Sequence, residues 1–282
     1  AVLLPFRSGF FNIGGQGQLE LGALAAVSVA LFLKASPVLV IILALLSSLA
    51  AGALAVVVPL VLRLRRGASE VTSTIMMNFA CILFMYAMVT GPLKDPKAFY
   101  GTTPSVLPIY RLPSLPGTGI HLGVLIAVAV VLLMFLVTRY TVFGLHTEVV
   151  GRNRSAAMAA GIPVDLVMAK AVLLGAALAG LAGGVQVLGL TFRVAEGWSK
   201  SWGFVGIPVA FLGGNPLGVL VVAFVFAILE TGARHMQAMT GVPAALVSLF
   251  QGLPVLIFVG LQAASRVMRW SKVEASGGDI NG

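Results

Sequence analysis

The segment from Val38 to Leu62 carries no charged side chain and stops abruptly at Arg63, Arg65 and Arg66. A helix needs ~20 mostly apolar residues to cross a bilayer, and this run is long enough. The pattern recurs at Leu19 to Leu33, Val71 to Val89, Gly119 to Thr138, Leu166 to Leu190, Leu217 to Leu229 and Val242 to Leu261, with a shorter run at Phe204 to Leu212. Only 10% of the 282 residues are charged and 59% are hydrophobic, whereas a soluble domain carries about 25% charged residues. Mean hydropathy is +1.04. The expected fold is all-α: a polytopic transmembrane helical bundle, interrupted by broken or short helices.

The net charge of +9 comes from Lys and Arg placed between the apolar runs. That placement is the positive-inside bias of a membrane protein, not the footprint of a nucleic-acid binder, so no nucleic-acid partner is expected. Cys81 is the single cysteine and cannot form an intrachain disulfide. His121, His146 and His235 are far apart in sequence and no HExxH or CxxC motif occurs, so no metal site is expected. The chain opens at Ala1 in an apolar stretch with no charged n-region and no A-x-A cleavage pattern. A longer N-terminus, with a further span, is expected to precede it.

Loop charges set an expected orientation. The Arg63, Arg65 and Arg66 cluster goes inside, which places the Pro-rich loop 91–119 outside and the basic loop 139–165 inside. The next helix leads out to Arg193 to Trp202, and the tail 266–282, with Arg266, Arg269 and Lys272, wants to lie inside. Three crossings after Trp202 satisfy this if Phe204 to Leu212 takes part in one. Gly213-Gly214-Asn215-Pro216 would break its hydrogen bonding, a break tolerated only beside protein or a water-filled path. Residues 1–265 thus read as one membrane domain.

Several features inside this frame carry polar or steric information. Asn78 and Gln186 lie within apolar runs, and a buried amide needs partners or water. Both are candidates for a polar pathway. Gly175, Ala179 and Gly183 form one small-residue face of the 166–190 helix, and Ala176, Gly180 and Gly184 another. Small residues at that spacing allow close helix packing. Glu20 starts one apolar run and Glu230 sits near the end of another, neither clearly at the bilayer centre. The scarcity of buried carboxylates argues weakly against ion coupling.

In the inner loop, Asn153 or Ser155 can cap a helix rich in alanine, and Gly161 and Pro163 stop it. The result is a short helix, either a plain connector or a shape suited to docking in a partner's groove. The Phe11 to Gln18 stretch holds Gly14, Gly15 and Gly17, which makes a regular helix unexpected there. It lacks G-x-G-x-x-G spacing and reads as an interfacial loop. No lysine follows a glycine, so no P-loop exists.

Phe11-Asn12-Ile13-Gly14 with Gly17-Gln18, Glu70-Val71 with Ser73 to Met76 and Asn78, Gly91 to Pro96, Ala156 to Pro163, and Gly203 to Gly218 occur in that order. Together they resemble a permease subunit of a type II ABC importer, in the nucleoside branch of the superfamily that also handles simple sugars and branched-chain amino acids. Three positions depart from the family pattern. Gln16 stands where the first motif often has an acid, Val205 replaces the aspartate of the family's Gly-Phe-Asp-Gly-Ile-Ala, and Pro208 stands in place of the alanine that ends it.

The resemblance implies a pathway-forming subunit for nucleosides in the cell membrane. Phe11, Asn12, Gln16 and Gln18 would lie at a broken helix beside the pathway, with Asn78 and Gln186 lining it. Asn153, Arg154, Ser155, Ala156, Met158, Ala160 and Gly161 would form the coupling helix that docks on a separate ATPase subunit. The chain itself would bind no cofactor, ATP being used by that partner. A second permease subunit, identical or not, and an extracytoplasmic binding protein would complete the assembly. Permeases for simple sugars or branched-chain amino acids, and an ion-coupled secondary transporter, are the alternatives.

Overall fold

The computed structural model describes residues 1–240, with Thr118, Lys200 and the side chain of Arg234 excepted. The expected span Val242 to Leu261 and the tail from Arg266 lie outside the described residues. The chain divides into two compact units. The first comprises Ala1–Ile207 with Asn215–Leu217, the second Pro208–Gly214 with the chain from Gly218 onward.

In the first unit, α1 (Leu3–Arg7) is a single turn. A sharp reversal at Ser8 and Gly9, with Gly9 at φ 78°, leads through an irregular segment into α2 (Gly15–Phe32). Then follow α3 (Pro37–Arg66) and α4 (Glu70–Thr90), joined by a tight turn in which Gly67 adopts φ 63°. Ser69 caps α4, and Arg63 pairs with Glu70 at 3.2 Å across the turn. After a long loop come α5 (Leu122–Tyr140), α6 (Val142–Arg152), α7 (Arg154–Ala159) and α8 (Val164–Gln186). A π-turn over Val187–Thr191 ends α8, and α9 (Trp202–Gly213) begins in this unit after ten intervening residues.

The core is built from α2, α3, α4 and α8. Three of these helices meet almost without side chains. A Cβ on Gly22 of α2 would overlap the backbone of Gly180 in α8. One on Gly52 of α3 would lie 2.8 Å from the Gly180 Cα, and one on Gly180 would overlap the Ser48 carbonyl. Gly183 faces Leu19 and Ala23, Gly184 faces Ser48 and Ala26, and Gly175 faces Ala1 and Pro5. Ala179 is buried on the same helix. In an apolar solvent such close backbone approach, not hydrophobic exclusion, is what holds helices together. Either side of the crossing, apolar side chains fill in: Val27, Val40, Met85 and Leu188 at one end, Phe10, Val56 and Val172 at the other.

Among the described residues five helices are long and apolar enough to cross a membrane: α3, α4, α5, α8 with its π-turn, and α10 (Pro216–Thr240), which makes up most of the second unit's described part. The helix α5 is apolar and almost none of it is buried, as a span facing lipid should be. At the end of the bundle where α8 stops, the two longest loops interlock. Thr103 donates to the Val194 carbonyl at 2.8 Å, Val106 to Phe192 at 2.8 Å, and Leu112 to Leu188 at 2.8 Å. The Arg111 guanidinium stacks 4.1 Å above the Phe192 ring. Both loops were expected on the same face of the membrane.

The loop 139–165 is more helical than expected, since α6 precedes α7. The α7 turn itself has the expected boundaries. Asn153 Oδ1 accepts from the Ala156 amide at 3.0 Å, and Gly161 takes φ 75° just past the end. Asn153→Ala should cost about 1 kcal/mol of local stability. The readout is faster amide hydrogen exchange over Ala156 to Ala159. The expected break at 213–216 is present as well. The helix α9 stops at Gly213, Gly214 turns left-handed at φ 63°, and α10 begins at Pro216.

Candidate functional site

One expectation is corrected at the start of α2. Gly15, Gln16, Gly17 and Gln18 are its first turn, not a non-helical loop. The turn is buried, and at Gly17 a side chain would not fit. A Cβ on Gly17 would lie 2.7 Å from Cys81 Cβ and 2.9 Å from the Asn78 carbonyl. A helix start leaves four amide N–H groups without helical partners. Here the Gly17 amide donates to Asn78 Oδ1 on α4, and the Ile13 amide, just before the helix, to Thr74 Oγ1 at 3.2 Å.

The register of α2 against α8 places this start well inside the bundle. Gly22 abuts Gly180 and Ala26 abuts Gly184, so the two helices run parallel. At 1.5 Å per residue, Gly15 sits roughly 15 Å along α8 from its first residue. The chain thus descends in α1, reverses at Ser8 and Gly9 beside Gly151 of α6, and climbs back to begin α2 part-way up. Backbone groups at such a break are satisfied from neighbouring segments.

Two hydrogen-bonded groups flank the break. On the first side, Asn12 and Gln18 form a reciprocal amide pair at 3.0 and 3.2 Å, and the Gly14 amide donates to Asn12 Oδ1 at 3.0 Å. On the second, Gln16 Nε2 donates to Glu20 Oε1 at 2.8 Å and to Ser199 Oγ, while Gln16 Oε1 accepts from the Gly203 amide at 2.8 Å. Ser199 Oγ also donates to Glu20 Oε1 at 2.8 Å. Asn12, Gln16, Gln18, Asn78, Glu20 and Ser199 are all buried. The gap among Gly14, Gln18, Ala55, Pro59, Thr74 and Asn78 is too narrow for a water molecule, so this face of the break is closed.

Of the residues singled out by sequence, Asn12, Gln16, Gln18 and Asn78 gather here. Phe11 lies at the edge, 44% exposed and against the Phe6 ring at 5.0 Å. Gln186 stands apart at the far end of α8, next to the π-turn and outside this network. Glu20 and Ser199 had not been singled out as part of a site. The spacing of four between Gln16 and Glu20 puts both on one face of α2, a signal that was available. Ser199 had none, since its approach is set by the path of the chain between α8 and α9.

The docking candidates form a second surface. Asn153, Arg154, Ser155, Ala156, Met158, Ala160 and Gly161 are all exposed, and only Ala157 points inward, against Val150, Val164 and Val167. Arg154 pairs with Asp165 at 2.6 Å and ties α7 to the start of α8.

These features define a multi-pass membrane protein with a helix broken inside its bundle. Residues 1–259 match the family described as "Branched-chain amino acid transport system / permease component", and the chain belongs to that family of ABC transporter permeases. It is similar to a glucose ABC transporter permease protein of Haloferax volcanii, with 32% identity covering 92% of this chain and 71% of that protein. A guanosine ABC transporter permease protein of Bacillus subtilis is 33% identical over 94% of this chain and 78% of its own length. A nucleoside ABC transporter permease protein of Lactococcus lactis is 30% identical over 94% and 76%. No solved structure matches the chain significantly.

Proposed function

We propose that this chain is the pathway-forming subunit of an ATP-driven importer for nucleosides. The observation that carries the reading is the set of neutral amides and hydroxyls at the break in α2: Asn12, Gln16, Gln18, Thr74 and Asn78. Such groups suit an uncharged, hydroxylated solute, and the single carboxyl among them, Glu20, is held by Gln16 and Ser199. Two of the relatives above carry guanosine or nucleosides in their names.

In this reading α7 is the coupling helix, with loop 139–165 on the cytoplasmic side, and it docks on a separate ATPase that binds and hydrolyses the ATP. The interlocked loops at the opposite end face a substrate-binding protein. Two permease subunits enclose the pathway. The small-residue faces of α8 serve packing, and Gln186 lines the path beyond the break. A simple sugar is the second reading, favoured by the glucose permease relative, whose identity is as high.

The test is uptake into proteoliposomes holding the permease, its ATPase and its binding protein. Labelled guanosine should accumulate only with ATP inside the ATPase compartment. Accumulation of glucose with no guanosine uptake would overturn the nucleoside reading. Uptake driven by an ion gradient without ATP would overturn the importer class.

A further inference from the structure

Glu20 is a carboxyl buried inside an apolar bundle, 2% exposed, and without an ion-pair partner among the described residues. Its two oxygens are used unequally. Oε1 accepts from both Gln16 and Ser199, whereas Oε2 is buried with no hydrogen-bond partner. An unpartnered buried acceptor is uncommon and asks for an explanation. On the neighbouring face of α2, Asn78 Nδ2 is also buried without a partner. One free acceptor and one free donor therefore flank the first turns of the same broken helix.

The contact that covers Glu20 is thin. Ser199 and Gly203 lie against Gln16 and Glu20 there, and the Gly203 backbone meets the backbone of Gly15 and Gln16. A Cβ on Gly203 would fall within 2.7 Å of the Gly15 carbonyl carbon, so no side chain fills the seam. Three hydrogen bonds cross it, from Gln16 to Ser199, from Ser199 to Glu20 and from the Gly203 amide to Gln16. Parting the 199–203 segment from α2 would remove Ser199 from Glu20 and the Gly203 amide from Gln16. That leaves a buried carboxyl with one donor and two free positions, which is costly.

We propose that Glu20 is a specificity-determining residue of the translocation path, whose carboxyl takes hydroxyl donors of a neutral polyhydroxylated solute in exchange for Ser199 as the seam opens. The proposal rests on the transport role given above. A carboxyl presents two acceptors side by side, and the vicinal hydroxyls of a ribose or a hexose present two matching donors. The solute restores the hydrogen bonds that opening removes. A ligand shifts a conformational equilibrium by its differential affinity for the two states, and here that difference lies in the exchange at Glu20. Gln16 holds the carboxyl in place through both states, and the free Asn78 amide offers a donor to a solute acceptor.

The experiment uses the assembled transporter, with its ATPase and binding protein, in proteoliposomes. Uptake of guanosine and of 2′-deoxyguanosine and 3′-deoxyguanosine is compared in the wild type and in Glu20→Gln and Ser199→Ala. In Glu20→Gln the KM for guanosine should rise about tenfold, as expected when a buried hydrogen bond to the solute is lost. Its preference for the ribose form over the deoxy forms should fall toward unity, with maximal rate little changed. In Ser199→Ala the preference should persist, while ATP hydrolysis without solute rises several-fold because the seam opens more readily.

Glu20→Gln with the wild-type KM and preference would overturn the proposal, as would a wild type that does not discriminate the deoxy forms. If Glu20→Gln does not assemble, Glu20→Asp retracts the carboxyl by one methylene. A raised KM with reduced preference supports the proposal, and an unchanged pair of values overturns it. A wild type that carries glucose and not guanosine sinks the nucleoside reading alone. The same variants are then scored with glucose against 2-deoxyglucose.

Discussion

Replacing Gly180 by leucine is expected to abolish assembly of the bundle. Gly180 is the point at which α2, α3 and α8 converge, facing Gly22 on one side and Ser48 and Gly52 on the other. A single Cβ already overlaps the Ser48 carbonyl, and backbone cannot swing aside as a side-chain tip can. Leucine would force two neighbouring helices outward and cost the packing above and below the crossing. Overpacked cores commonly lose about 1–3 kcal/mol when side chains can adjust. Here they cannot, so the loss should exceed that range. The yield of monodisperse protein in detergent should fall by more than tenfold, and Gly180→Ala should show a smaller drop. Wild-type yield for Gly180→Leu would mean that the crossing is looser than its geometry. Gly232, with no described atom within 4 Å of its Cβ position and no positive φ, makes a fair contrast: Gly232→Leu should leave yield unchanged.

Met158→Glu is expected to abolish ATP-driven uptake while leaving the permease folded. Met158 is 55% exposed at the tip of α7, surrounded by alanines that add no bulk. It is the largest apolar group a partner could bury there. A carboxylate in its place would enter the interface without a cation and forfeit both the packing and the desolvation of the patch. Uptake and co-purification of the ATPase should fall by more than tenfold, with thermal unfolding of the permease unchanged. Arg152→Ala on the adjoining helix, whose partner Glu148 is also exposed, should alter uptake little. Undiminished uptake in Met158→Glu would show that α7 is a connector and not a coupling surface.

The helical frame was legible because hydrocarbon imposes one simple rule on long apolar runs. Val38 to Leu62 and Leu166 to Leu190 became α3 and α8 within a few residues. Caps were legible for the same local reason, as Asn153 and Gly161 show. The first turn of α2 was not. Gly15 and Gly17 argue against helix when read alone, and the compensation comes from α4, which supplies Asn78 as an external cap. Tertiary contact overrode local preference there. The amides of the candidate site could be picked out as polar residues near or within apolar runs. Their pairing could not, because Asn12 meets Gln18 only through the irregular lead into α2, and Gln16 meets Ser199 only once the chain has returned between α8 and α9. Glu20 was discounted for lying at the edge of an apolar run, although in the bundle the start of that run is deep inside.

The glycine crossing also bears on how the bundle can deform. Helices that touch through long side chains can slide, because rotamers change and the interface heals. Where Gly22, Gly52 and Gly180 bring backbones together, there is no rotamer to change. The α2, α3 and α8 trio is therefore a stiff lever, and any motion of the chain must be taken up at its ends. Those ends are the reversal at Ser8 and Gly9 and the stretch between the π-turn and α9, where Phe192 and Ser201 already hold left-handed backbone angles. Hinge-like behaviour is thus assigned by the absence of side chains elsewhere.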